Sequence, residues 1–482
     1  MPLRPSVAAL AASALLSACA VGPDYVRPTL AVPAAYKEEG DWKPADPRPA
    51  ASGLAWWKAY GDPVLDGLED DAGNANQNIR EAEATYRQAR AIVDEDRAGL
   101  FPTLGLNLGA ERARGNSSGV VRTGNNLSLG LAGSWEPDLW GSVRRTIESG
   151  AASAEASADD LAAARLSIQT TLAQDYLQLR IADQQRDLYA NTIAAYTKAL
   201  NLTRAQQSVG VALQSDVSLA QAQLAAAQAE SVDLEATRAQ LEHAIAVLTG
   251  RAPAQFALAA APADQPLMLR MPETPAGLPS DLLEHRPDIA AAERRAAAAN
   301  ANIGVAKAAY FPQLTLSASG GAGAATLGSL FDTPGRVWSL GAALAQAIFD
   351  GGLRTARVAQ AEAGYDISVS QYKQTVLAGF QQVEDQLALL RLLARESSFQ
   401  EQAVRSSQQA QQSALAQYRA GTTSYLNVVT TQTTLLTNQR SAVQLHGRLL
   451  AASVTLVSAT GGGWSAADPL SAASAASTAA PQ

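Results

Sequence analysis

The sequence predicts a mixed α/β membrane protein with an internal two-fold repeat, in which pairs of strands alternate with very long helices. Three observations predict this class. The 482-residue chain resembles itself when it is shifted by 210 residues, so that Ile79 meets Ile289. Two regions in corresponding places have apolar residues at alternate positions. The ranges 143–208 and 353–419 contain no proline and are long enough for helices of about 100 Å.

Composition excludes several functional classes. The net charge of −8 argues against nucleic-acid binding, which needs a basic surface to displace counterions from phosphates. A single cysteine excludes a disulfide framework and a cysteine-based zinc site, and the three histidines lie far apart in the sequence. We therefore expect no metal and no bound cofactor.

The N-terminus has the features of a secretory signal. Arg4 precedes the apolar run Val7–Leu16, which is too short for an ordinary membrane helix. The residues up to Cys19 resemble the bacterial lipobox, so we expect residues 1–18 to be removed and Cys19 to carry covalent S-diacylglycerol and N-palmitoyl groups. Ala20 after this cysteine implies sorting to the outer membrane. The alternative is an incidental cysteine.

The self-similarity continues through most of the chain. Matched pairs include Glu83/Glu293, Phe101-Pro102/Phe311-Pro312, Gly141/Gly351 and Arg144/Arg354, and, after one inserted residue, Gly210/Gly421, Gln221/Gln432 and Thr249-Gly250/Thr460-Gly461. Because the matches involve phenylalanine, proline, glutamine and arginine, alanine-rich low complexity does not explain them. An internal repeat does.

These matches divide the chain. Repeat 1 takes residues 64–250 and repeat 2 takes residues 281–464. The lipidated N-terminal segment 19–63 is rich in proline and is expected to be extended, and the linker 251–280 joins the repeats. The alanine- and serine-rich tail 465–482 is expected to be disordered.

A strand hairpin is predicted in each repeat, at about 102–137 and 312–348. Within Leu104–Leu108, leucines alternate with small or polar residues, and Leu127–Leu131 has the same pattern. Segments of about ten residues with one apolar face are typical of strands in a membrane barrel with a wet lumen. The same period fits a half-buried hairpin of a soluble protein equally well.

Long helices are predicted around each hairpin. Their ranges are about 76–99, 143–208 and 212–249 in repeat 1, and about 286–309, 353–419 and 424–459 in repeat 2. Their apolar faces are narrow and rich in alanine, which favours close side-by-side packing of helices over a thick core.

Four strands cannot close a barrel, and a sheet with open edges is not tolerated in lipid. The smallest membrane barrels have about eight strands, which two copies of the chain would provide, whereas three copies would provide twelve. If the hairpins cross a membrane, the chain must therefore oligomerise. Helices assembled next to the barrel would extend its pore, so the sequence indicates an oligomeric duct.

Short motifs in a fixed order resemble one protein family. They are Val21-Gly22-Pro23-Asp24-Tyr25, Trp56-Trp57, Arg286-Pro287-Asp288-Ile289, Phe349-Asp350-Gly351-Gly352, Tyr418-Arg419-Ala420-Gly421 and Gly461-Gly462-Gly463-Trp464. Over the range 19–464 the chain resembles the outer membrane factors of the TolC type, in their NodT-like lipoprotein branch. The resemblance implies a homotrimer with a twelve-stranded outer-membrane barrel that is continuous with a long periplasmic α-helical barrel. It also implies an equatorial belt that includes the linker 251–280.

The resemblance implies a periplasmic gate as well. The hydrophobic constriction of the family falls on Leu426. One turn further along, where some relatives carry an aspartate ring, this chain has Thr430, which weakens the case for a cation-selective mouth. Arg419 matches a family position that ties the closed tips together by polar contacts. The alternative for Leu426 is ordinary helix packing.

The helix turns at Val209–Ser215 and Arg419–Tyr425 are expected to project farthest into the periplasm and to contact an adaptor. The candidate docking residues are Gly210, Val211, Gly421, Thr422 and Thr423. The plainer interpretation is that both glycines only end helices, and the two roles are compatible.

The predicted function is the outer-membrane channel of a tripartite efflux system. It would work with a periplasmic adaptor (a membrane fusion protein) and an inner-membrane pump, and export small molecules such as drugs or other toxic compounds. The alternative is a lipid-anchored coiled-coil scaffold or adhesin without a pore. No arrangement of catalytic residues stands out, so an enzyme is not expected. The sequence does not identify the exported substrate.

Overall fold

The computed structural model describes residues 20–38, 55–117, 120–260, 285–332 and 335–464. The predicted signal peptide, Cys19, most of the linker 251–280 and the tail 465–482 lie outside these residues. The chain forms two compact units. The first contains the residues up to Leu30 together with Ala84–Ala158 and Ala291–Gln374, and the second contains Ala31–Glu83, Asp159–Ala290 and the residues from Thr375 onward.

Helices and strands follow the same order in both halves of the chain. The helices are α1 (Pro63–Ala75), α2 (Gln77–Ala98), α3 (Ser142–Ser208), α4 (Gln214–Leu248), α5 (Pro287–Ala308), α6 (Leu353–Arg419) and α7 (Tyr425–Ala459). The strands are β1 (Thr103–Ser117), β2 (Val120–Trp135), β3 (Gln313–Ala324) and β4 (Arg336–Ala345). Helices α3 and α6 both have 67 residues, and α4 and α7 both have 35. The prediction of four strands and long helices is confirmed. Within the described residues, no helix is apolar enough over a sufficient length to cross a membrane.

The four strands form one antiparallel sheet in the first unit, in the order β1-β2-β3-β4. Directly paired residues lie on the same face of the sheet, so the strand register shows which side chains share each face. One face carries Leu104, Leu106, Leu108, Leu127, Leu129, Leu131, Leu314, Leu316, Trp338, Leu340 and Leu344. The other face carries Thr103, Asn107, Ser128, Ser134, Thr315, Ser317, Ser319 and Ser339, with glycine, alanine and Val337 between them. The sheet therefore has a continuous apolar face and a small, polar face.

The apolar face is exposed on the single chain. Leu104, Leu108 and Leu340 retain 75%, 77% and 75% of their accessible surface. Within the described residues, the outer edges of β1 and β4 pair with no other strand. Exposed apolar faces and open sheet edges are features that proteins usually cover, and large exposed apolar patches mark sites of interaction with protein or membrane.

The core of the second unit surrounds a turn and a helix that the sequence analysis missed. The segment up to residue 63 was predicted to be extended, but Trp56–Tyr60 forms a 3-10 turn and α1 begins at Pro63. The Asp62 carboxylate accepts hydrogen bonds from the backbone N–H groups of Val64 and Leu65, and Pro63 occupies the first helical position, where its missing N–H costs nothing. This Asp-Pro start was visible in the sequence.

Apolar residues at helical spacing on α1 bury that helix against its neighbours. The core cluster contains Tyr60, Leu65, Leu68, Leu172, Tyr176, Leu179, Ile245, Leu450 and Val454. The two buried tyrosines are paired through their hydroxyl groups, Tyr60 with Ser453 at 2.8 Å and Tyr176 with the Asp62 carboxylate. These apolar contacts and hydrogen bonds fix the positions of the helices that contribute residues to this core.

Candidate functional site: the two helix-turn tips

The first tip joins α3 to α4 by a Schellman turn. The N–H of Gly210 donates to the carbonyl of Gln207 at 3.0 Å, and the N–H of Val211 donates to the carbonyl of Gln206 at 2.8 Å. Gly210 has a φ of +77°, in the left-handed region that this motif requires. A Cβ added at this glycine would meet nothing within 4 Å, so backbone conformation, and not space, selects glycine here.

The second tip, between α6 and α7, repeats this geometry. Gly421 has a φ of +72°, its N–H donates to the carbonyl of Tyr418 at 3.0 Å, and the N–H of Thr422 donates to the carbonyl of Gln417 at 3.0 Å. Both glycines therefore end helices, as the plainer interpretation of the sequence held. The turns also place the side chains that follow them in solvent.

An apolar cluster supports both tips from inside. It contains Leu200, Val217, Ala220, Tyr418, Tyr425 and Val428, so it joins residues from all four helices. The rings of Tyr418 and Tyr425 lie 5.2 Å apart, and burial raises the pKa of the Tyr425 hydroxyl to about 12. Tyr425 is thus a neutral packing group, and the two turns are held side by side as one structural feature.

The two tips present different chemistry to solvent. Val209, Val211 and Leu213 of the first tip are 72%, 70% and 69% exposed. The second tip presents hydroxyl-bearing residues in the corresponding range 420–424. The carboxylate of Asp216 accepts a hydrogen bond from the N–H of Leu213 at 3.2 Å, whereas the matching position on α7 is the neutral Asn427. A partner would therefore meet an apolar turn beside a polar one.

The three predicted gate residues lie at the end of α6 and the start of α7. Leu426 is 59% exposed, immediately after the buried Tyr425 at the start of α7. The Thr430 hydroxyl donates to the carbonyl of Leu426 at 2.9 Å, so these two residues share one exposed stripe of the helix. Arg419 is exposed at the end of α6, and no ion pair within the described residues involves it.

Hydroxyl groups continue along α7 behind Leu426. The hydroxyls of Thr431 and Thr434 donate to the carbonyls of Asn427 and Thr430 at 3.0 and 2.9 Å. Because their donors are used within the helix, these side chains present methyl groups and neutral oxygen atoms. The face around Leu426 therefore carries no charge of its own, in agreement with the departure from the acidic family pattern at Thr430.

The sequence analysis missed a second site, at the beginning of the described chain. Gly22 has a φ of +112°, and a Cβ added to it would lie 2.5 Å from the Cα of Gly304 on α5. Arg145 of α3 forms an ion pair with Asp24 at 2.9 Å and also donates to the carbonyls of Val21 and Gly22 at 3.3 and 3.4 Å. The resemblance motif that begins at Val21 therefore encodes a tight backbone contact.

The same segment is fixed at both of its ends. The N–H of Val21 donates to the carbonyl of Trp140 at 3.1 Å, and the Trp140 ring stacks on Phe311 with centroids 4.7 Å apart. At the other end, the Tyr25 hydroxyl donates to the Glu293 carboxylate at 2.6 Å. Residues 20–25 thus have one defined position within the first unit, beside Trp140, whose indole N–H donates to the carbonyl of Pro312 just before β3.

Comparison with known proteins gives a consistent result. A family model described as outer membrane efflux protein matches residues 68–251 and again 278–462. The pyoverdine export outer membrane protein OpmQ of Pseudomonas aeruginosa is 35% identical over 94% of this chain and 96% of its own length. The toluene efflux pump outer membrane protein TtgF of Pseudomonas putida is 30% identical over 94% of this chain and 96% of its own length.

Solved structures agree with the sequence relatives. The outer-membrane channel OprN superposes with a TM-score of 0.86 at 31% identity, covering 92% of this chain and 100% of that one. The open state of the MtrE outer membrane channel of Neisseria gonorrhoeae superposes with a TM-score of 0.80 at 28% identity, covering 92% of this chain and 98% of that one.

Proposed function

The chain belongs to the outer membrane efflux protein family, and we propose that it acts as a homotrimer that forms the outer-membrane channel of a tripartite efflux system. In this assembly the four-stranded sheets of three copies close a twelve-stranded barrel. The helices of the three copies surround the periplasmic part of the duct. The channel has no catalytic step, because transport is driven by the pump.

One observation carries this proposal: the sheet has an apolar face, a polar face and two open edges. Lipid hydrocarbon covers the face that contains Leu104 and Leu340, and the serine-rich face lines an aqueous lumen. The outer edge of β1 in one copy pairs with the outer edge of β4 in the next, which satisfies every backbone group. A scaffold or adhesin in water gives no account of either feature.

The proposed gate lies at the exposed stripe that Leu426 and Thr430 form at the start of α7. In a threefold assembly Leu426 is present three times, and a ring of three leucines excludes water and ions by hydrophobic constriction. Thr430 adds neutral oxygen atoms one turn along the helix. No ion pair among the described residues of its own chain involves Arg419, and we propose that in the closed state it pairs with an acid of a neighbouring copy.

The lipid anchor is proposed for Cys19. Ala20, the first described residue, packs against Gly141, and Val21 is hydrogen bonded to Trp140, next to the sheet. Acyl chains on the preceding cysteine would then reach the same leaflet that the strands enter. Two or three chains suffice for stable anchoring, where one does not.

The two tips are the proposed contact with a periplasmic adaptor, which connects the channel to an inner-membrane pump. Val211 offers an apolar contact, and Thr422 and Thr423 offer hydroxyl groups. The relatives are named for the export of pyoverdine and of toluene. Since these cargoes differ in size and polarity, we propose small-molecule export without assigning one compound to this chain.

The decisive experiment is to measure the mass and symmetry of the detergent-extracted protein imaged from the outer-membrane fraction. We expect a threefold particle with about three times the mass of one chain. Metabolic labelling with palmitate, lost in Cys19→Ser, tests the anchor separately. A monomer, or a filament without a barrel, would overturn the channel and support the scaffold or adhesin alternative.

A further inference from the structure

Three arginines continue the lipid-facing side of the sheet beyond the leucines of β1 and the apolar residues of β4. Arg112 and Arg114 follow Leu104, Leu106 and Leu108 at alternate positions of β1. Arg336 precedes Trp338 and Leu340 on β4 and pairs with Ala322, so it lies on the same face. All three are exposed. The outward-facing positions of the described strands include no aspartate or glutamate.

Distances along the strands place these arginines at the border of the membrane. Arg112 is eight residues beyond Leu104, and Arg336 is eight residues from Leu344 at the other end of its strand. Eight residues span about 27 Å of strand, or about 21 Å along the membrane normal at a tilt of about 40°. The apolar band of an outer-membrane barrel is about 25 Å tall.

Charge at the middle of the bilayer would be costly. An outward-facing arginine strongly destabilises a barrel at the midplane of the bilayer and is tolerated near its surface. Because the helices are periplasmic, the ends of the strands that carry the hairpin loops face outward from the cell. The three arginines therefore lie at the level of the outer-leaflet head groups.

We propose that Arg112, Arg114 and Arg336 bind phosphate groups on the head groups of outer-leaflet glycolipids. Guanidinium groups form paired, charge-assisted hydrogen bonds with phosphate, and among the described strand residues no acid on this face competes for them. The inference rests on the proposed channel, since closure of the barrel sets β1 of one copy beside β4 of the next. Arg112 and Arg114 of one copy then approach Arg336 of its neighbour.

The pairing of β1 with β2 extends further toward the loop than the pairing of β2 with β3, which supports this placement. Pairing of β1 with β2 continues to Ser117 and Val120, whereas pairing of β2 with β3 ends at Leu127 and Ala324. Residues 111–117 of β1 and 120–126 of β2 therefore form a two-stranded ribbon that extends past the end of β3. Arg112 and Arg114 lie on the outward side of this ribbon, and Glu111, paired with Asn126, lies on the inward side.

Titration of lipid A into phosphatidylcholine nanodiscs that hold the full protein tests the proposal. Binding is counted by native mass spectrometry. We expect bisphosphorylated lipid A to bind at least about 10-fold more tightly than dephosphorylated lipid A. We expect Arg112→Gln combined with Arg114→Gln to weaken binding of the phosphorylated form about 10- to 30-fold, from about 1 kcal/mol for each arginine near an anionic surface.

Two control variants separate position from charge. Arg87→Gln combined with Arg90→Gln removes the same charge from helix α2, and Glu111→Gln changes a charge on the inward face of the same strand. Neither is expected to alter the affinity. Equal affinity of the wild type for the two lipids, unaltered binding by the Arg112/Arg114 variant or an equal loss in the α2 control would overturn the proposal.

The lipid comparison on the wild-type protein needs no variant, so the test survives if the double substitution fails to fold. The mass of each nanodisc complex also reports how many chains it contains. A trimer that does not distinguish the two lipids refutes lipid binding alone, whereas the absence of a trimer refutes the proposed channel.

Discussion

Asn76 and Arg286 hold equivalent carbonyl groups in the two halves of the chain. The Asn76 amide donates to the carbonyl of Leu248 at 2.8 Å, and the Arg286 guanidinium donates to the carbonyl of Ala459 at 3.1 Å. In both halves this hydrogen bond, which we call the joint, connects the end of the last long helix to the start of the first long helix. The side chains differ, but the backbone group that they satisfy is the same.

The joint in the first half predicts a measurable loss in Asn76→Ala. Besides Leu248, the Asn76 side chain accepts from the N–H groups of Asn78 and Ile79 at 2.9 and 3.2 Å, which caps α2. Loss of such a cap costs about 1 kcal/mol, and loss of the bond to Leu248 adds to it. Hydrogen exchange in the first turn of α2 should accelerate at least about 5-fold.

Asn74→Ala is the matched control, because the Asn74 amide donates only to the carbonyl of Asp70 on the exposed side of α1. Equal exchange in the two variants would show that Asn76 does not hold the joint.

Local signals in the sequence predicted the strands and the long helices. The alternation in Leu104–Leu108 and the lack of proline in 353–419 each report directly on backbone conformation. The contact of Gly22 with Gly304 could not be predicted in this way, since it depends on the fit of two distant segments. The exposure of Leu426 likewise depends on packing around Tyr425, and only the family resemblance singled Leu426 out.

The conformation of Gly421 predicts that Gly421→Ala loosens the second tip. A left-handed φ of +72° costs an alanine about 1–2 kcal/mol, and no contact of the new methyl group offsets it. Hydrogen exchange should accelerate about 5-fold or more around Arg419–Tyr425. Gly421→Asn should have a smaller effect, because asparagine tolerates this region.

Gly67→Ala serves as the control for Gly421→Ala. Gly67 lies inside α1, has open space around its Cα and lacks a positive φ, so alanine there should stabilise the helix. Identical exchange in wild type and Gly421→Ala would contradict the assignment of the strain.

The contact between Gly22 and Gly304 predicts that alanine at either position releases the N-terminal segment. In Gly22→Ala the new Cβ would lie 2.5 Å from the Cα of Gly304, and in Gly304→Ala it would lie 2.8 Å from the carbonyl oxygen of Val21. Neither backbone can yield without separation of the two segments. Limited proteolysis should therefore cut near Tyr25 at least about 10-fold faster in both variants.

Gly61→Ala is a suitable comparison, because it introduces the same strain at a φ of +69° with nothing within 4 Å. If it exposed the N-terminal segment as much as Gly22→Ala, steric contact would not be the cause.

Glu69 predicts a dependence of stability on pH. This side chain is 1% exposed, and neither carboxylate oxygen has a hydrogen-bond partner among the described residues. Burial, assisted by repulsion from Asp70 and Asp66, raises the pKa of Glu69 from 4.5 to about 9. The folded protein therefore keeps a proton that the unfolded chain releases, so its stability falls as the pH rises from about 4.5 to about 9.

Glu69→Gln should remove this dependence. We expect the same melting temperature as wild type near pH 4, and a melting temperature higher by at least about 3 °C near pH 8. Asp70→Asn, at the exposed neighbouring position, should change neither value by a comparable amount. A variant that is less stable than wild type near pH 8 would show that the carboxylate is ionised and paired.

Leu426 predicts the behaviour of the gate. If a ring of Leu426 side chains seals the periplasmic end, Leu426→Ala widens the constriction and lets water enter it. Single-channel conductance in planar bilayers should rise severalfold, and cells should become more sensitive to drugs that enter through an open duct. Leu213→Ala removes a leucine of similar exposure, 69% against 59%, from the other tip and should leave conductance unchanged. Unchanged conductance and drug sensitivity in Leu426→Ala would refute the leucine seal, and a rise in both variants would place the constriction on the tips as a whole.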